Sequence, residues 1–162
     1  MEVPKSLEDF VKMIQLTPRS VLSSNDRRRL AAVMSFDERR VIDLMVEKNK
    51  MVFVSAEEVL GPLMLDKLYK SGFTNFPVID SKEKVVGILS TESLNNLSIK
   101  KTDKAENYVD KRVFYLHTKD SLNFAVEEII RTNGYYFLVL DSMEKIVGCF
   151  TTEILLHYLI GM

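Results

Sequence analysis

An internal repeat is the feature that most constrains what this chain can fold into. EKVVGILSTE at 83–92 matches EKIVGCFTTE at 144–153, and FPVIDS at 76–81 matches FLVLDS at 137–142. Both pairs are offset by the same 61 positions (144 − 83 and 137 − 76). A repeat of this length predicts two copies of one supersecondary unit.

Each copy predicts the order strand, helix, strand, turn, strand, helix. Short β-type runs at Met51–Val54 and Val113–Leu116 precede apolar residues at helical spacing. Gly72 and Gly134 stand where these helices end, which is the usual place for a left-handed residue. Two apolar runs around a polar Asp-Ser turn then predict a β-hairpin in each copy. The last helices are predicted over Thr91–Leu97 and Thr152–Ile160.

The repeat also predicts the domain organisation. A copy of about 60 residues buries too little surface to be comfortably stable alone, so we expect the two copies to pack as one module. The predicted class is α/β (α+β), with tandem β-α-β-β-α repeats at 41–100 and 101–162. Residues 1–40 lie outside the repeat and predict a helical N-terminal arm, with a Ser or Asn cap before its second helix.

Composition excludes several classes of protein. A net charge of −1 gives no general attraction to nucleic acid, and a single cysteine, Cys149, excludes a disulfide framework. The apolar runs are shorter than the roughly 20 residues of a membrane span. We therefore expect a cytoplasmic location, including the cytosolic part of a membrane protein. No glycine-rich phosphate loop, nucleophile elbow, paired-histidine zinc motif or cysteine cluster is present, so we expect no enzymatic activity.

The motif of one copy resembles a known family. Gly72, then Pro77-Val78, then Asp80, then VVGIL followed by Ser90 is similar to a CBS (cystathionine-β-synthase) domain. The tandem, over roughly Val41–Ile160, resembles a CBS pair, or Bateman module. The resemblance implies a non-catalytic module that senses adenine nucleotides, regulates an attached protein and forms homodimers through exposed helices.

A narrower resemblance concerns the entry into the repeat. Val41, Asp43 and Met45 match the Val-x-Asp-x-Met motif of the CorC/CNNM proteins, which are associated with magnesium and cobalt transport. The chain departs from that family in two places. VEK stands at 46–48 instead of Thr-Pro-Arg, and Thr74-Asn75 replaces Ser-Arg. The resemblance implies attachment to a membrane domain outside this chain and regulation of divalent-cation (Mg/Co) transport.

The CBS resemblance also implies a ligand site between the two copies. Hydroxyls at Ser90 and Thr151 correspond to the phosphate-binding position, and an acid three residues later would bind the ribose. That acid is replaced by Ser93 and Ile154, so both sites are degraded. No resident cofactor is expected; the implied ligand is ATP, ADP or AMP, with or without Mg²⁺. The candidate ligand-binding residues are Thr74, Asn75, Phe76, Pro77, Ser90, Ser93, Tyr135, Tyr136, Phe137 and Thr151.

Structural interpretations of these residues stay open. Ser90 and Thr151 also suit the caps of the helices that follow them. The aromatic residues and Pro77 also suit core packing. Arginines at 27–29, 39 and 40 suit a solvated helix face or, beside a membrane domain, acidic lipid. The alternative function is a CBS pair that has lost its ligand and serves in dimerisation or as a scaffold.

Overall fold

The computed structural model describes residues 4–95 and 102–160. Two helices and a two-residue strand come first, followed by two successive sets of strand, helix, strand, strand and helix. This mixed α/β architecture confirms the predicted fold class. The elements are α1 (Leu7–Leu16), α2 (Ser24–Met34), β1 (Val46–Glu47), β2 (Val54–Ser55), α3 (Pro62–Lys70), β3 (Asn75–Ile79), β4 (Val85–Ser90), α4 (Thr91–Asn95), β5 (Phe114–His117), α5 (Leu122–Thr132), β6 (Tyr136–Leu140), β7 (Ile146–Thr151) and α6 (Thr152–Ile160).

The chain forms two compact units. The contiguous unit is Glu47–Phe114, and the split unit combines Met1–Val46 with Tyr115–Met162. These units do not test the domain boundaries at residues 40 and 100 that the repeat predicted, so those boundaries stay a prediction. The boundary at 100, and the end of the predicted helix at Leu97, lie outside the described residues.

The contiguous unit is built on a three-stranded sheet in the order β2-β3-β4. β2 runs parallel to β3, and β3 pairs antiparallel with β4, so that Asn75 lies opposite Ser90. Pro62 occupies the first turn of α3, where its missing N–H costs nothing, and Gly72 follows the helix with φ 77°. The buried core of this unit consists of Val54, Ala56, Leu60, Leu68, Phe76, Val78, Leu89, Leu94 and Ala105.

The split unit carries the four-stranded sheet β1-β7-β6-β5. β6 is buried along its whole length and pairs antiparallel with β7. The N-terminal helices belong to this unit: α1 packs on α2, and α2 packs on α6. A hydrogen bond of 2.7 Å between Ser35 Oγ and Tyr158 Oη joins the end of α2 to α6. Ser6 and Ser23 cap the two N-terminal helices, as the sequence predicted for the second of them.

Three sequence predictions were wrong in detail. Gly134 is not the left-handed residue after α5; Asn133 takes that conformation with φ 51°, which asparagine tolerates better than most residues. The strand expected at Met51–Val54 is limited to Val54–Ser55, because Met51 N closes a 3₁₀ turn on Lys48 O. Similarly, β5 begins one residue later than predicted.

The repeated glycines mark the places where another segment crosses each hairpin. A Cβ on Gly148 would lie 2.4 Å from the carbonyl oxygen of Val46, and one on Gly87 would lie 2.6 Å from Cβ of Val109. Such distances leave no room for a side chain. The crossing segment over the second hairpin therefore comes from the start of the first repeat, and the segment over the first hairpin comes from the second repeat.

Candidate functional site

Four candidate residues meet at one end of the β3–β4 hairpin in the contiguous unit. Asn75 lies opposite Ser90 in the antiparallel ladder, and Thr91 N donates to Thr74 O at 2.9 Å. Ser93 lies in the first turn of α4, the helix that begins directly after Ser90. We refer to Thr74, Asn75, Ser90 and Ser93 as the hydroxyl corner.

Ser90 caps the helix that follows it. Ser93 N donates to Ser90 Oγ at 3.1 Å, and the two Oγ atoms lie 2.8 Å apart. This is the capping role that the sequence left open. A serine hydroxyl has one donor and two acceptor positions, so each hydroxyl keeps unused hydrogen-bonding capacity.

Asn75 is incompletely satisfied. Its Nδ2 donates to Thr74 Oγ1 at 3.0 Å, whereas its Oδ1 is buried and has no hydrogen-bond partner among the described residues. An unpaired buried acceptor costs about 1–3 kcal/mol. A ligand that brings an N–H donor to this oxygen would remove that cost. The hydroxyl corner therefore groups two serine hydroxyls with one amide oxygen that has no partner among the described residues.

The apolar candidates belong to the core. Phe76 and Phe137 have no exposed surface, and Pro77 is also buried. Their side chains therefore stabilise the sheets, which was the alternative interpretation of these residues. Any ligand contact at these positions would have to come from the backbone.

The remaining candidates lie in the split unit and repeat the geometry of the hydroxyl corner. Tyr136 lies opposite Thr151, and Thr152 N donates to Tyr135 O at 3.1 Å. Thr151 Oγ1 accepts from Ile154 N at 3.2 Å, so this hydroxyl is also a helix cap. Ile154 offers no hydroxyl or acid at the position equivalent to Ser93.

The two tyrosines differ in their surroundings. Tyr135 is 55% exposed. Tyr136 is 8% exposed; burial, together with its contact with Cys149, raises the pKa of its phenol. Burial also raises the pKa of the Cys149 thiol, so this cysteine is a neutral core residue.

The candidate set omitted one feature of the split unit. A pocket of about 250 Å³ lies between α1 and α2, lined by Gln15, Arg19, Ser24, Arg27, Arg28 and Ala31. The arginine run at 27–29 was the available signal, but the sequence could not show that two of its members face Arg19. Within residues 4–95 and 102–160 no cluster of three or more His, Cys, Asp or Glu side chains could hold a metal.

The fold was compared with known proteins. No family model matches the chain. The CBS domain of a bacterial CNNM/CorC family Mg²⁺ transporter superimposes with a TM-score of 0.81, at 16% identity, over 99% of this chain and 98% of that one. The chain has the CBS-domain fold. The resemblance seen in the sequence is thereby confirmed.

Two further comparisons concern function. The magnesium and cobalt efflux protein CorC of Pasteurella multocida is 23% identical over 160 residues, which is 97% of this chain and 53% of the relative. The chain thus spans about half the length of that protein. A CBS domain of the bacterial CNNM/CorC family in complex with ATP matches 83% of this chain with a TM-score of 0.73 and 18% identity. In the described part of this chain, no helix has the length and apolarity of a membrane span.

Proposed function

We propose that this chain is a non-catalytic regulatory module that binds an adenine nucleotide and controls an attached divalent-cation (Mg/Co) transport protein from the cytoplasmic side. Two comparisons support the proposal: the CorC relative, and the CBS structure that holds ATP. Regulation requires that the nucleotide bind two conformations of the module with different affinity.

The single observation that carries the proposal is the unsatisfied Asn75 Oδ1 beside the hydroxyls of the hydroxyl corner. A purine offers an exocyclic amine to such an acceptor, and a phosphate or ribose oxygen accepts from a serine hydroxyl.

The second candidate function is a ligand-free dimerisation or scaffold module. Its support is that Ser90 and Thr151 already serve as helix caps, and that Ser93 and Ile154 replace the expected acids. A hydroxyl binds ribose more weakly than a carboxylate does, because hydrogen bonds to charged groups are the stronger ones.

Homodimer formation through helices is part of both proposals. The supporting observation is the apolar surface left exposed on α3 and α5: Leu63 is 89% exposed and Ile130 is 75% exposed. Light scattering of the parent and of Leu63→Glu and Ile130→Glu variants tests this proposal. A parent that is a monomer, or variants that remain dimers, would contradict it.

Calorimetric titration with AMP, ADP and ATP, each with and without Mg²⁺, tests nucleotide binding. We expect measurable binding of at least one nucleotide, and loss of about tenfold in affinity for Ser90→Ala, which corresponds to about 1.4 kcal/mol. Ser121→Ala is the matched control, because it also removes a serine cap, from α5, and lies outside the candidate set. The absence of both heat and thermal shift at millimolar nucleotide would favour the scaffold instead.

A further inference from the structure

A second pocket adjoins the arginine-lined pocket of the split unit. It has a volume of about 420 Å³ and is lined by Val11, Arg28, Ala31, Ala32, Ser35, Arg39 and Tyr158. Arg28 and Ala31 line both pockets, so the two adjoin along α2. We refer to them together as the α2 groove. One end of the groove is strongly basic, and the other has an alanine, valine and tyrosine surface together with Ser35 and Arg39.

Arg27 gives the basic end an unsatisfied donor. Its Nε donates to Leu22 O at 3.2 Å, and its Nη1 donates to Gln15 O at 2.8 Å. These bonds hold the guanidinium rigidly against the last turn of α1. Its Nη2 is buried and has no hydrogen-bond partner among the described residues. A cationic donor that is fixed in place and unsatisfied is suited to an anionic oxygen.

Arg19 and Arg28 line the same end of the groove as this donor. Arg19 is exposed and makes no hydrogen bond or ion pair with any residue that the structure describes. Asp26 is the nearest acid in the sequence, but it does not line the groove. Its carboxylate accepts from Ser23 Oγ at 2.6 Å and lies 3.9 Å from Arg29.

We propose that the α2 groove is a binding site for a phosphate monoester, with the phosphate held by Arg19, Arg27 and Arg28 and an apolar or aromatic part of the same molecule lying against Ala31, Ala32 and Tyr158. Guanidinium groups bind phosphate through paired N–H donors, and Ser24 adds a hydroxyl at the same end. The site lies entirely in the split unit and does not use the hydroxyl corner. It therefore stands independently of the proposed nucleotide site.

The source of the phosphate is a free metabolite or a lipid headgroup, and the probes separate the two. Phenyl phosphate and inorganic phosphate, titrated calorimetrically into the full chain, represent the free form. Co-sedimentation with phosphatidylcholine vesicles that contain phosphatidic acid represents the headgroup. We expect phenyl phosphate to bind more tightly than inorganic phosphate, because only the former occupies the apolar end of the groove. Binding by vesicles alone would assign the site to a lipid headgroup.

Arg19→Gln and Arg29→Gln form a matched pair of variants. Each removes one exposed arginine, but only Arg19 lines the groove. We expect both variants to fold, because Arg19 has no described hydrogen bond or ion pair and Arg29 lies in an exposed pair. We expect Arg19→Gln to weaken binding of the responding probe about tenfold, and Arg29→Gln to change it less than about twofold. Ser90→Ala should leave this binding unchanged.

Three results would overturn the proposal. The first is the absence of binding by all three probes at millimolar phosphate. The second is an equal loss with Arg19→Gln and Arg29→Gln, which would indicate general charge attraction. The third is abolition by Ser90→Ala, which would place the phosphate at the hydroxyl corner.

Discussion

Replacing Ser93 with aspartate should increase the affinity of the hydroxyl corner for adenine nucleotides. The change restores a carboxylate three residues after Ser90, the spacing that the CBS resemblance assigns to ribose binding. The ionised side chain can accept hydrogen bonds from both ribose hydroxyls, whereas the serine hydroxyl already lies 2.8 Å from Ser90 Oγ.

The magnitude follows from the type of hydrogen bond gained. Hydrogen bonds to charged groups contribute about 1.5–3 kcal/mol, against about 1 kcal/mol for neutral ones. The net gain of about 0.5–2 kcal/mol corresponds to an affinity increase of roughly twofold to thirtyfold. Folding should not suffer, because Ser90 with an acid at the third helical position forms a capping box and a negative charge is favoured in the first turn of a helix.

The assay compares the parent, Ser93→Asp and Ser93→Asn by calorimetry with AMP and with 2′,3′-dideoxy-AMP. The gain should be present for AMP with Ser93→Asp, smaller with Ser93→Asn, and absent for the dideoxy ligand. Equal gains with both ligands would show that the carboxylate does not contact ribose. An unchanged or reduced affinity for AMP in a folded variant would refute the placement of the site.

Three further predictions concern stability. Gly148→Ala should lower the free energy of unfolding by about 1–3 kcal/mol, because its Cβ would meet the Val46 carbonyl oxygen; an unchanged midpoint in a urea titration would contradict the close approach. Glu83→Gly should raise the free energy of unfolding by up to about 1 kcal/mol, because glycine adopts the left-handed backbone at this position (φ 60°) without strain. A loss of stability in the same titration would show that Glu83 makes a stabilising contact. Hydrogen bonds from Lys84 N and Lys82 N lower the pKa of Asp80. The ionised carboxylate therefore stabilises the turn fully when the pH is above the ordinary pKa of an aspartate. This stabilisation is lost as the pH falls through the lowered pKa of the folded state. The melting-temperature difference between the parent and Asp80→Asn should therefore be present at pH 7 and shrink below about pH 4; a constant difference would exclude an electrostatic role.

The sequence predicted the elements of this fold because their signals are local. Apolar periodicity located the helices and hairpins, and Gly72 marked the end of α3. The wrong prediction of a left-handed Gly134 has an equally local cause, since Asn133 and Gly134 are adjacent and both tolerate that conformation. Sequence alone does not decide which of two such neighbours adopts it.

The sites were less accessible to sequence reasoning because they depend on burial and on distant neighbours. The spacing of Ser90 and Ser93 suggested both a cap and a ligand contact, and the geometry shows the cap directly. Among the described residues, Asn75 Oδ1 and Arg27 Nη2 have no hydrogen-bond partner, and nothing in the sequence signals this. Each is defined only by which other groups fail to reach it after folding.

The crossing segments over the two repeated glycines have a consequence for what a cut between the repeats would do. Val46, from the first repeat, covers Gly148 in the second, and Val109, from the second, covers Gly87 in the first. A cut between the predicted repeats would therefore separate each hairpin from the segment that covers it. We expect the two fragments to regain their folds only when they are mixed.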